Sequence, residues 1–135
     1  MRTSFQRLFI LAVAALPLVL GACSGPAPSP EVQGEWSSTT LPMTLTVDRN
    51  YQVANGDFHL EWEGGFLDYT VTSRVTGNTL EVGARAATAE GSLTFTLRAS
   101  VEGDTMTGRY SLVGVTSGDS EFFRAEGSFS ATRVD

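Results

Sequence analysis

The sequence predicts an all-β domain: a single antiparallel meander of about eight strands closed into a small up-and-down barrel, with a flattened β-sandwich as the alternative. Three observations predict it. Apolar and polar residues alternate with a period of two from Leu41 to Ala131, as in strands with one buried and one wet face. Gly-, Asn- and Asp-containing dipeptides interrupt that alternation where hairpins would turn. No comparable stretch has helical spacing.

The elements before the domain are of another kind. Arg2 and Arg7 precede an apolar run from Leu8 to Leu20, too short to span a bilayer, which takes about 20 apolar residues, and interrupted by Pro17, which would kink a transmembrane helix. A charged start, a short apolar middle and a small-residue end mark an export signal. It ends in Leu20-Gly21-Ala22-Cys23, which resembles the lipobox of bacterial lipoproteins. The resemblance implies cleavage between Ala22 and Cys23 and acylation of Cys23. It further implies a domain held by palmitate-type acyl chains on the non-cytoplasmic side of the cell membrane or outer membrane. Cys23 is the only cysteine, so no disulfide is expected, and the fold must stand on its core.

Removing the signal peptide, residues 1–22, leaves 113 of the 135 residues, with seven Arg against fifteen Asp and Glu and a formal charge of −8. That length fits one domain. The acidic balance and the absence of Lys argue against nucleic acid or anionic lipid as partner, since both need cationic side chains. Residues 23–33 hold the lipidated Cys and Pro26, Pro28 and Pro30, and read as a Pro-rich tether. Residues 34–135 are then the barrel domain.

Within it, Leu41, Met43, Leu45 and Val47 form one inward series and Phe58, Leu60 and Trp62 the next. Leu67, Tyr69, Val71 and Val75 follow, then Leu80 and Val82, then Leu93 to Val101 at alternate positions. Met106, Tyr110 and Leu112, and finally Phe123, Ala125, Phe129 and Ala131, complete the inner face. Asn55-Gly56, Gly64-Gly65, Gly77-Asn78 and Gly103-Asp104 read as tight hairpins. Asp48 to Asn50 is a further reversal, and Ala87 to Glu90 and Thr116 to Ser120 are longer loops. Closing such a meander removes its exposed edges.

Gly34-Glu35-Trp36 at the first strand and Phe129 to Val134 at the last resemble the calycin pattern of lipocalins and avidin-like barrels. The resemblance implies a calycin-like barrel whose floor is closed by Trp36 beneath Arg133. Arg133 lies four residues beyond Phe129 and so shares its inward parity. The segment Trp36 to Met43 parallels the avidin first strand and loop. Avidins place a polar Asn and Ser on the ligand where this chain has Ser38 and Pro42, so biotin binding is not implied.

Catalytic parts are scarce. His59, the only histidine, could join Glu61 and Glu63 around a divalent cation. Side chains two apart on a strand stand about 7 Å from one another, so no metal site is expected. There is no free thiol, no serine-triad arrangement and no phosphate-binding glycine loop. No catalytic residue and no cofactor are assigned. Small inward residues, Ala84, Ala99, Gly108, Ala125, Gly127 and Ala131, alternate with Phe95, Tyr110, Phe123 and Phe129. Such alternation fits a filled barrel; the other reading is a ligand pocket lined by Trp36, Trp62, Tyr69 and Tyr110.

The function expected is that of a monomeric, non-enzymatic envelope lipoprotein with a protein-binding or inhibitory role. An acidic surface would steer a basic partner to it. Barrel lipoproteins that inhibit lysozymes or proteases are the family analogy. A carrier of a small hydrophobic ligand is the first alternative and an enzyme of unknown type the second. Replacing Cys23 with Ser is expected to remove acylation, and with it the apolar attachment that an acidic domain cannot supply. Detergent phase partitioning reads this directly: a Cys23→Ser protein that still enters the detergent phase like its parent would end the lipoprotein reading.

Overall fold

The computed structural model describes residues 25–134; the signal segment, the lipobox and Cys23 lie outside the described residues. Nine strands form one antiparallel sheet that curls into a half-barrel. In chain order they are β1 (Gly34–Ser38), β2 (Met43–Val47), β3 (Phe58–Trp62), β4 (Gly65–Phe66), β5 (Thr70–Thr76), β6 (Thr79–Ala87), β7 (Gly91–Glu102), β8 (Thr105–Thr116) and β9 (Glu121–Arg133). Two short 3-10 turns, Pro30–Val32 and Asn55–Asp57, complete the secondary structure of the described residues.

The spatial order is β4-β3-β2-β1-β9-β8-β7-β6-β5, a meander joined back on itself by pairing its first strand with its last. In that junction Trp36 stands opposite Arg133, Ser37 opposite Thr132 and Ser38 opposite Ala131. The other side stays open. β4 has two residues and no ladder to β5, so full closure, expected from the edge argument, gives way to a half-barrel. The chain covers the exposed edge by another device. In the β2–β3 connection the Asn55 side-chain oxygen accepts from the Val71 amide at 2.8 Å, and the Ser73 hydroxyl accepts from the Val53 amide at 2.9 Å. An edge amide of β5 and an edge side chain are thus engaged without a strand.

Turn chemistry explains where expectation and structure part. Gly77-Asn78 and Gly103-Asp104 are two-residue turns, closed by Thr76–Thr79 and Glu102–Thr105 pairs. The third hairpin turns at Glu63-Gly64, both at positive φ (52° and 83°), rather than at Gly64-Gly65. Gly65 instead opens β4, the strand that raises the count from about eight to nine. Asn55-Gly56 makes no hairpin, because Asn55 is used as the edge cap just described. Leu67 to Tyr69 cross from β4 to β5 outside any ladder, so the fifth strand begins only at Thr70.

The core is the inward face of every strand except the two-residue β4, both of whose residues are exposed. Phe95, Phe129, Leu45, Leu60, Leu80, Leu93, Met106 and Val101 are completely enclosed. Gly108 marks the tightest approach: a Cβ there would lie 2.0 Å from the Arg98 carbonyl oxygen and 2.5 Å from Ala99 Cα. Only a residue without a side chain permits so close an approach of β8 to β7 there.

The Pro-rich segment is docked as a strap across one end of the half-barrel, not free as a tether would be. Ser29 N donates to the Gly77 carbonyl at 2.8 Å, and Gly77 N donates to Pro26 O at 3.2 Å. Val32 is wholly buried. Prolines remove donors that would otherwise need partners, so a strap of this composition can lie on the domain with few unpaired amides.

Candidate functional site

Among the described residues, Trp36, Trp62, Tyr69 and Tyr110, expected at a floor or pocket, lie in three different surroundings. Trp36 sits at the strap end, 1% exposed, with its indole N–H donating to the Val32 carbonyl at 3.0 Å. The Arg133 guanidinium stacks on it, 4.4 Å from the ring centroid. All three guanidinium nitrogens of Arg133 are engaged. Nη1 donates to Gln33 O and Nη2 to Glu31 O, both at 2.6 Å, while Nη2 also reaches Gly103 O at 3.1 Å and Nε meets an Asp104 carboxylate oxygen at 2.9 Å. One side chain therefore ties the strap, the β7–β8 turn and β1 together. Gly34 is part of the same packing, since at φ 117° a Cβ would stand 2.8 Å from Arg133 Nη1.

Tyr69 and Tyr110 belong to an aromatic row inside the half-barrel. Tyr69 meets Phe58 edge-on at 5.0 Å, Phe58 leans on Phe95 at 5.5 Å, and Phe95 stacks with Tyr110 at 6.4 Å. Tyr110 reaches over Gly127, which opposes it across the β8–β9 ladder. These rings occupy the space that the small inward residues leave. Burial raises the Tyr69 hydroxyl to a pKa of about 12, and that hydroxyl donates to Leu60 O at 3.3 Å. Trp62 lies apart, edge-on to Phe123 at 4.9 Å, with a buried indole N–H that has no partner among the described residues.

His59, Glu61 and Glu63 do not converge. Among the described residues no group of three His, Cys, Asp or Glu side chains is placed to hold a metal ion. His59 instead meets the ring of Phe66 edge-on at 6.1 Å. Phe66, which the alternation did not single out, is 67% exposed on the two-residue strand that ends the sheet. Beside it Leu41, Pro42, Met43, His59 and Glu61 line a shallow cavity of about 260 Å³. The clue in the sequence is positional: a large apolar residue directly after Gly64-Gly65, where chains usually place polar groups.

Among the described residues no helix is long and apolar enough to cross a membrane. No protein-family model, curated protein or solved structure matches the chain.

Two expected outcomes follow from this geometry. Trp36→Ala should cost about 3–5 kcal/mol through lost burial, and Arg133→Ala about 2–3 kcal/mol, since charge-assisted hydrogen bonds go together with the ring contact. About 1 kcal/mol of the Arg133 loss should vanish in a Trp36→Ala background; simple additivity in urea unfolding would mean that ring and guanidinium do not interact. The second outcome concerns alkali. The unfolded chain ionises Tyr69 near 10.0, whereas the folded one keeps the proton to about 12, so stability is complete below pH 10 and falls as pH rises toward 12. Tyr69→Phe should flatten this part of the pH–stability curve, and an unchanged alkaline slope would count against Tyr69 as its source.

Proposed function

We propose that the chain is a bacterial envelope lipoprotein, acylated on Cys23, whose domain binds a protein partner without catalysing a reaction on it. The observation that carries the binding mode is Phe66. An exposed aromatic ring beside a shallow cavity is the usual anchor of a protein interface. The exposed carboxylates Glu61, Glu63 and Asp68 surround it in the chain, which favours a basic partner with an apolar pocket. The unpaired side of β4 adds a short edge that an extended segment of the partner could join. An inhibitor of a basic envelope hydrolase is one form such a protein takes.

The carrier reading has one observation in its favour, the unpartnered Trp62 indole N–H beside Phe123. It is the weaker reading, because the row from Tyr69 to Tyr110 occupies the centre where a carried ligand would sit.

A photo-reactive phenylalanine analogue at position 66 of the acylated protein tests the interface in intact cells. It is expected to capture one protein of discrete mass, with the yield falling about ten-fold when Glu61→Arg and Glu63→Arg are added. Capture of lipid alone, or a yield indifferent to those charges, would overturn this reading, and a small molecule released on denaturing the native protein would favour the carrier.

A further inference from the structure

The outer face of β5–β9 has a different character from the acidic surroundings of Phe66, which lies on the outer face of the short arm of the same sheet. Five of the seven arginines outside the signal segment, Arg74, Arg85, Arg98, Arg109 and Arg124, point outward from β5–β9. Four carboxylates stand among them on these five strands, Glu81, Glu102, Glu121 and Glu126, so the outer side of β5–β9 carries about +1 while the rest of the domain carries about −9. The ladder register sorts these side chains into rows across the strands. Arg74, Glu81, Arg98 and Arg109 stand in one row, each directly opposite the next. The adjacent row is Thr72, Gly83, Thr96, Ser111 and Glu126. Long guanidinium arms beside a row of hydroxyls and a glycine leave a groove of about 650 Å³.

The electrostatics of the long row are unbalanced. Glu81 bridges Arg74 at 2.8 Å and also Arg98, and the Arg74 hydrogen bond and charge hold its carboxyl below the usual range. Both of its oxygens are then used. Arg109 has no ion pair among the described residues, and it faces Arg98 directly across β7 and β8. Two like charges directly opposite on a ladder destabilise it unless an anion lies between them.

We propose that this groove binds an anionic sugar polymer, with Arg98 and Arg109 clamping a carboxylate or phosphate and Thr72, Thr96 and Ser111 meeting sugar hydroxyls. Backbone amides and carbonyls here are spent in the ladders, so the face offers only guanidinium and hydroxyl groups to a ligand. No aromatic side chain points outward from either row to anchor a protein partner. The row from Arg74 on β5 to Arg109 on β8 crosses three strand spacings, about 14 Å, longer than a single ion needs. Guanidinium forks suit planar carboxylates and phosphates alike.

This site is built by β5–β9 and shares no residue with the Phe66 cavity, so it stands or falls independently of the protein-binding reading. Calorimetric titration of the acylated protein in detergent, at low and at physiological salt, tests it with polygalacturonate and phosphomannan oligosaccharides as probes and neutral dextran as control. Binding of at least one anionic probe and not of dextran is expected. Arg109→Gln should weaken that binding about ten-fold, whereas Arg49→Gln, which removes the same charge elsewhere, should leave it unchanged. Thr96→Val with Ser111→Ala should weaken it as well, because a pure charge site would not need the hydroxyls. The proposal is overturned if neither probe binds, if Arg49→Gln and Arg109→Gln weaken binding equally, if the hydroxyl variants change nothing, or if vesicles of anionic lipid bind the groove in preference to both polymers.

Discussion

Everything at one end of the molecule depends on Arg133. A guanidinium placed over an indole and given four hydrogen-bond acceptors cannot be swapped for lysine, whose single ammonium lacks the planar fork. Its acceptors come from parts of the chain about a hundred and about thirty residues away, Glu31 and Gln33 on one side and Gly103 and Asp104 on the other. The contact therefore closes the largest loop in the fold without a covalent bond. With a single cysteine in the chain no internal disulfide can form, and a charged side chain does the work that a disulfide does in many proteins of this size.

Strand length accounts for the shape. β7, β8 and β9 run twelve or thirteen residues, while β1, β2 and β3 run five each. A sheet so unequal cannot seal along both sides, and the short arm ends in a two-residue strand. The long arm curls because Gly108 and its neighbour Ala99 let two strands approach closely, and the space this opens is taken by the rings of Phe95 and Tyr110. Small residues and aromatic rings are thus two halves of one packing solution.

Much of the architecture was legible from the period of two and from the glycine-containing turns, because inward parity and positive φ are local properties. The expected pairing of Trp36 with Arg133 rests on the resemblance at the two ends of the domain, with which the inward parity of Arg133 agrees. The edge cap by Asn55 was not legible, since Asn-Gly between two strand-like runs looks the same whether the asparagine turns the chain or reaches across to Val71. Nor was the arginine row. Arg74, Arg98 and Arg109 are scattered along the sequence, and only the register of three successive ladders brings them side by side. Phe66 was missed because β4 is too short to show any alternation.

The docked strap gives the molecule a top and a bottom. Cys23 precedes Pro26 by three residues, a reach of about 10 Å even when fully extended. On the proposed acylation of that cysteine, such a leash would be too short for the domain to turn over and would hold the strap end against the headgroups. β1 leads away from that end, and the Leu41-Pro42 loop that follows it lies beside Phe66. The strap and the aromatic ring then lie at opposite ends of the molecule, so the proposed anchoring would present the exposed ring away from the bilayer.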